Sequence, residues 1–372
     1  MKQQTGFLAR EDLQQLISAI IDHGYACIGP QVQDEAIVYA ELTSVNQLPM
    51  GINAEQGPGQ YSLKKTSANK YFNWANGPQA IKPLLFTARE KLWQSSQSAS
   101  GEISFHTLLP DVQQEIQPMA IFAARACDIA AMKLQDQHFL QQQYIDPYYQ
   151  SRRENLLIIA VNCSQPAATC FCHSTADGPF AETGFDIALT ELQHGFLVSV
   201  ETEQGQKILE QISLRKHTEQ QLLEADNILA NASKQQRALP DINLQTQLFN
   251  QLTSDAWEQI ASQCLSCGNC TSVCPSCFCH SEKDVPELDG KTSAHYREWD
   301  SCFNQGHSYI HGITIRAETS QRYRQWLTHK FASWHDQYGR SGCVGCGRCI
   351  SWCPVGIDVI ESIKSVVDAG NE

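Results

Sequence analysis

Residues 264–275 read CLSCGNCTSVCP, and residues 343–354 read CVGCGRCISWCP. Both are the run Cys-x-x-Cys-x-x-Cys-x-x-x-Cys-Pro. Three thiolates with two residues between each wrap three irons of one cubane, and the fourth, a helical turn further on, points toward a neighbouring cluster. The proline turns the chain away, and Gly268, Gly345 and Gly347 let the backbone come close to the sulfides. Structural zinc uses two separated CxxC pairs around one tetrahedral ion. It needs neither a third cysteine nor a fourth before proline, and certainly not the whole pattern twice. The runs therefore predict two [4Fe–4S] clusters. In a crossed arrangement Cys264, Cys267, Cys270 and Cys353 hold one, and Cys343, Cys346, Cys349 and Cys274 hold the other.

The flanks of the runs read as helix. Residues 243–263 place Leu244, Leu248, Leu252, Trp257 and Ile260 at helical spacing and lead straight into Cys264. A second helical stretch, about 317–339, leads toward Cys343. Residues 241–372 are thus expected to form an α-helical dicluster ferredoxin domain. Residues 224–241 are polar and read as a linker or surface helix near a boundary.

Residues 1–240 read as an α/β domain. EDLQQLISAIIDH (11–23) has helical periodicity with Gly24 as its stop, and YACIGP and EAIVYAEL read as short strands. The stretch from Pro49 to Tyr71 is rich in Gly, Pro, Asn and Gln and reads as a long loop. MAIFAA (119–124) and LLIIAVN (156–162) are apolar runs of strand length, the kind buried on both faces. The helical spacing of Ile129, Met132, Leu134 and Leu140 lies between them. Strand, helix and strand predict a right-handed βαβ unit in a partly parallel sheet.

Two cysteines fall at the carboxyl ends of those strands, Cys127 and Cys163, and Cys170 and Cys172 follow in one loop, TCFCHS. Parallel strands of one unit open on the same edge, where such sheets bind ligands. Four thiols converging there suffice for a third cubane; as an alternative they are small buried hydrophobes. Arg125 and Asp128 flank Cys127, as groups that tune a cluster or as a surface ion pair. CFCHS recurs at 277–281, and Cys277, Cys279 and Cys302 remain as candidate ligands without a set of four. Cys27, in an apolar stretch, reads as core, and His173 and His280 do not complete a haem-attachment motif.

The chain has 372 residues, room for two domains, and 42% hydrophobic residues support a buried core. A net charge of −13 argues against a nucleic-acid partner. No apolar stretch reaches the ~18–20 residues of a membrane span, and the N-terminus lacks the order of a secretory signal; a cytoplasmic protein is expected. Sixteen cysteines in a reduced compartment read as metal ligands rather than disulfides. Neither GxGxxG after a strand nor GxxxxGK[ST] occurs, so dinucleotide binding is assigned to a separate flavoprotein chain. A non-redox protein with structural metals is the alternative from another class.

The series RACD, NC…TCFC, CLSCGNCTSVCPSCFC, WDSC, YRQWLTHKF and CVGCGRCISWCPVGID resembles the iron–sulfur beta subunit of soluble nickel–iron hydrogenases, the sulfhydrogenases. The electron-transfer subunit of anaerobic sulfite reductase is similar in layout. The resemblance runs from about residue 119 to the end. It implies an electron relay between a flavin-containing, NAD(P)H-binding subunit and a catalytic subunit, of a hydrogenase first and of a sulfite reductase second. The chain alone is then not expected to be catalytic. The resemblance carries over the cysteines of both runs and Cys127, Cys163, Cys170 and Cys172 as a third set.

Overall fold

The computed structural model describes residues 6–107 and 117–369. Its strands of four or more residues, in chain order, are β1 (Gly6–Ala9), β2 (Ala26–Gln33), β3 (Ala36–Glu41), β4 (Ile52–Gly57), β5 (Gln60–Lys65), β6 (Arg89–Gln97), β7 (Ile103–Thr107), β8 (Met119–Ala124), β9 (Leu156–Val161), β10 (Ile187–Glu191), β11 (Gly195–Val200), β12 (His280–Pro286) and β13 (Thr292–Trp299). Seven of them form one mixed sheet, in the order β1-β11-β10-β9-β8-β2-β3. The central pairs β2–β8, β8–β9 and β9–β10 are parallel, and the outer pairs are antiparallel.

The apolar runs MAIFAA and LLIIAV become β8 and β9 because both sheet faces are covered. Ala120, Phe122, Leu157 and Ile159 point into a core shared with Leu13, Leu16, Ile17 and Ile20 of the helix Leu13–Asp22. Ile121, Ala124, Ile158 and Ala160 point to the opposite core, against Ile129 and Met132 of the helix Ala126–Phe139 and Tyr149 of the helix Pro147–Glu154. Alternate residues of one strand thus serve two cores, and the sequence shows no polar face. Cys27 lies in the first core, and burial pushes its thiol up to about 12.

The end of β8 is irregular. Phe122 pairs with Ile159 and Ala124 with Ala160, so Ala123 bulges, with φ +65°. Such a bulge redirects the chain beyond it, here Arg125 and Cys127. The Tyr39 hydroxyl donates to the Ala123 carbonyl at 2.7 Å and holds the kink.

Three expectations change. The stretch 49–71 contains the β4–β5 hairpin, closed by Pro58 and Gly59 between Gly57 and its partner Gln60. Its tip reaches the second cysteine run: the Gly59 N–H donates to the Ile350 carbonyl at 3.0 Å. The stretch 243–263 is two short helices, Leu244–Asn250 and Ala256–Ala261, with the Trp257 indole N–H closing the break on the Gln251 carbonyl at 2.7 Å. Finally, residues 280–299 form the β12–β13 hairpin, which joins β6 and β7 in a second sheet, β12-β13-β6-β7. The C-terminal part is therefore helix and strand rather than helix alone. Of the stretch 317–339, residues 319–338 are helical without a break: Thr319–Thr328, a π-helical turn His329–Ser333, and Trp334–Tyr338.

Candidate metal centres

The two cysteine runs fold alike. In each, a residue in the left-handed region (Ser266, φ +50°; Gly345, φ +62°) turns its N–H back onto the sulfur two residues earlier. Ser266 N donates to Cys264 Sγ and Gly345 N to Cys343 Sγ, both at 3.4 Å. A left-handed glycine, Gly268 or Gly347, then starts a single helical turn, Asn269–Ser272 or Arg348–Ser351. That turn carries the fourth cysteine away from the first three.

The structure gathers these cysteines around two cavities. Cys264, Cys267, Cys270 and Cys353 line one, with Phe303, Tyr323 and Trp326 among its apolar walls. Cys274, Cys343, Cys346 and Cys349 line the other. Cys349 also borders the first cavity, so the two share a wall. The donor set suits thiolate-held cubanes: four soft sulfurs, apolar walls, and backbone N–H groups on sulfur, including Ile357 N on Cys353 Sγ at 3.3 Å. Burial pushes the Cys270 and Cys349 thiols well above their ordinary range, so each needs a bound metal to lose its proton. Among the described residues, no three Cys, His, Asp or Glu are grouped to hold a single ion.

The third predicted group also comes together. Cys127 opens the helix Ala126–Phe139 and neighbours Cys172. Cys170 neighbours Cys172 and Cys163, and Cys172 neighbours Cys163. Cys346 of the second run faces this group as well. Asn76 Nδ2 approaches Cys127 Sγ at 3.7 Å, and Gln235 Nε2 donates to Cys172 Sγ at 3.2 Å. The TCFC loop lies directly on the second run, with Phe171 N donating to the Gly345 carbonyl at 2.8 Å. A Cβ on Gly345 would stand 2.5 Å from the Cys172 backbone. Glycine is needed there for the approach of the two cysteine loops.

Arg125 and Asp128 do not pair with each other, and neither is at the surface. Arg125 donates to the carbonyls of Phe72 and Trp74 at 2.9 and 2.8 Å and stacks on the Trp74 ring. Asp128 takes Arg348, from between Cys346 and Cys349, with two N···O contacts of 2.9 Å at 0% and 1% side-chain exposure. Sequence reading missed Arg348, whose partner lies 220 residues away. It also missed Lys330, a buried ammonium that donates to Ser276 Oγ at 3.0 Å and the Gly342 carbonyl at 3.2 Å. Burial disfavours its charge, but the sulfurs of Cys274, Cys277 and Cys343 outweigh burial and hold it well above the ordinary lysine value. The legible signal was a lysine on the apolar face of a helical stretch.

Of the remaining cysteines, Cys277 lies beside Cys274 of the second cavity and Cys302 lies near Cys270 of the first. Cys277 neighbours Cys274, and Cys279 neighbours Cys302. The Cys302 thiol beside Cys279 pulls the Cys279 thiol below its ordinary range, against the effect of burial. His173 is exposed, and the His280 ring meets Phe86 edge-on.

Residues 263–357 match the family model described as a 4Fe-4S dicluster domain. The chain is 34% identical over 252 residues to sulfhydrogenase 2 subunit beta of Pyrococcus furiosus, covering 66% of this chain and 73% of the relative. No solved structure matches. Among the described residues no helix is long and apolar enough to cross a membrane. With its dicluster domain at the carboxyl end of a partly parallel α/β sheet, the chain belongs to the family of sulfhydrogenase beta subunits, iron–sulfur subunits of electron transfer.

Proposed function

We propose that the chain relays single electrons between a flavin-containing, NAD(P)H-binding subunit and the catalytic subunit of a cytoplasmic nickel–iron hydrogenase. The observation that carries this is contiguity: two four-cysteine cavities share Cys349, and Cys346 of the second faces the Cys127 group. Clusters bound there supply one-electron transfer without binding substrate. The protein's own part is to hold and insulate. Cys264, Cys267, Cys270 and Cys353 form one ligand set, Cys343, Cys346, Cys349 and Cys274 the second, and Cys127, Cys163, Cys170 and Cys172 the third. Backbone N–H groups steady the sulfurs, and Phe303, Tyr323 and Trp326 exclude water.

The test is electron entry. The purified, iron-loaded chain, free of flavin, should not reduce a dye with NADPH, and adding the flavoprotein subunit should start the reaction. Reduction by the chain alone would overturn the reading.

A further inference from the structure

The β12–β13 hairpin explains cysteines that the two runs leave over. His280 pairs with Trp299 at its base, and Asp300 N donates to the Cys279 carbonyl at 2.9 Å. Cys279 enters the hairpin and Cys302 leaves it, so this pairing brings the two cysteines together from 23 residues apart. Cys277, two residues before Cys279, is 9% exposed and faces the sulfurs of Cys274 and Cys279.

Two further observations point to the group these thiols hold. His307 lies beside Cys279, and its Nδ1 donates to Asp300 Oδ2 at 2.8 Å. A carboxylate on Nδ1 fixes the tautomer that leaves Nε2 as a ligand, the arrangement typical of metal-bound histidine. The second observation is charge. Lys82 and Lys330, 6% and 5% exposed, both face Cys274, Cys277 and Cys279. Among the described residues neither ammonium has a carboxylate partner within ion-pair distance; Lys82 donates only to the Thr271 carbonyl at 3.5 Å and sits over the Trp299 ring. Burying two cations without opposite charge is strongly unfavourable. A thiolate-held cluster is an anion, and here it would face two buried cations.

We infer that Cys277, Cys279, Cys302 and His307 form the ligand set of a further iron–sulfur cluster at the base of the β12–β13 hairpin. The set takes a polynuclear iron–sulfide group, an anion that suits the two buried ammonium groups facing its sulfurs. It extends the relay by one centre and uses none of the residues of the Cys127 group.

The test uses the full chain, co-expressed with its partner subunits and purified without oxygen, with iron, zinc and acid-labile sulfide counted. Cys279→Ser/Cys302→Ser should lose about four irons relative to the unmutated chain, with one paramagnetic signal of the reduced protein gone and the others kept. His307→Cys should keep the irons and lower the midpoint potential of that one signal. An unchanged iron count in folded Cys279→Ser/Cys302→Ser, or zinc in place of iron, would overturn the inference. If the double variant does not fold, an unshifted spectrum and potential in His307→Cys does so instead. Loss of the Cys127-dependent signal leaves this result untouched, so the two ligand sets fail separately.

Discussion

Gly345 shows how much one missing side chain decides. It sits at φ +62°, and a Cβ would meet the Cys172 N and Cα at 2.5 Å. Gly345→Ala should therefore cost more than the ~1–3 kcal/mol that a left-handed non-glycine residue costs by itself. Gly339→Ala is the control, because Gly339 has φ +73° and nothing within 4 Å. A urea titration of the iron-loaded chain should show the larger loss at Gly345; equal losses would refute the close packing. The Arg348–Asp128 pair makes a second case. Arg348→Met leaves the Asp128 carboxylate buried without its cation, held only by the Asn76 amide at 2.6 Å, and should cost about 3–5 kcal/mol, while Arg348→Met/Asp128→Leu should recover much of it. The ligand cysteines were legible because cluster chemistry dictates their spacing. Arg348 was not, because nothing local marks a residue as the partner of one 220 positions away.

Among the elements, the strands buried on both faces were the easiest to read: β8 and β9 are uninterrupted apolar runs with a helix between. β4 and β5 were hidden by their polar, glycine-flanked sequence, since one hairpin face is solvated. β12 and β13 were hidden for another reason: their partner, β6, is far away in the chain. The βαβ unit carries a prediction of its own. Cys127→Ala should lower the iron count by about four and remove one paramagnetic signal; if these thiols are only packing, it should cost about 1 kcal/mol and no iron. The helix Ala126–Phe139 also meets the CFCH segment through His138, whose ring stacks on Phe278 at 3.7 Å and faces the Tyr338 hydroxyl at 2.8 Å. Burial lowers His138 to about 4. The unfolded chain therefore binds the proton first, and stability present above pH ~6.5 is lost as pH falls toward 4. Thermal melts at pH 7.5 and 5.5 should show a smaller acid loss in His138→Phe than in the unmutated chain.

For the whole molecule, the cysteine cavities replace packing at the heart of the C-terminal core. Leu248, Trp257, Tyr323, Trp326, Ile350 and Ile363 belong to one core against which Cys264, Cys270, Cys343 and Cys349 are packed. Removing iron with a chelator under reducing conditions should loosen this part and spare the large sheet. Hydrogen exchange should then speed up across 263–279 and 340–358 while β8 and β9 stay protected; uniform protection would contradict this. The sheet β12-β13-β6-β7 has one more consequence, for biosynthesis. The β6–β7 hairpin leaves the ribosome long before Thr292–Trp299, its partner across almost two hundred residues. At ~5–20 residues per second, β6 keeps an unpaired edge for about 10–40 s of translation. During that interval the nascent chain offers a sticky strand, and a chaperone or a waiting partner protein has its best chance to bind.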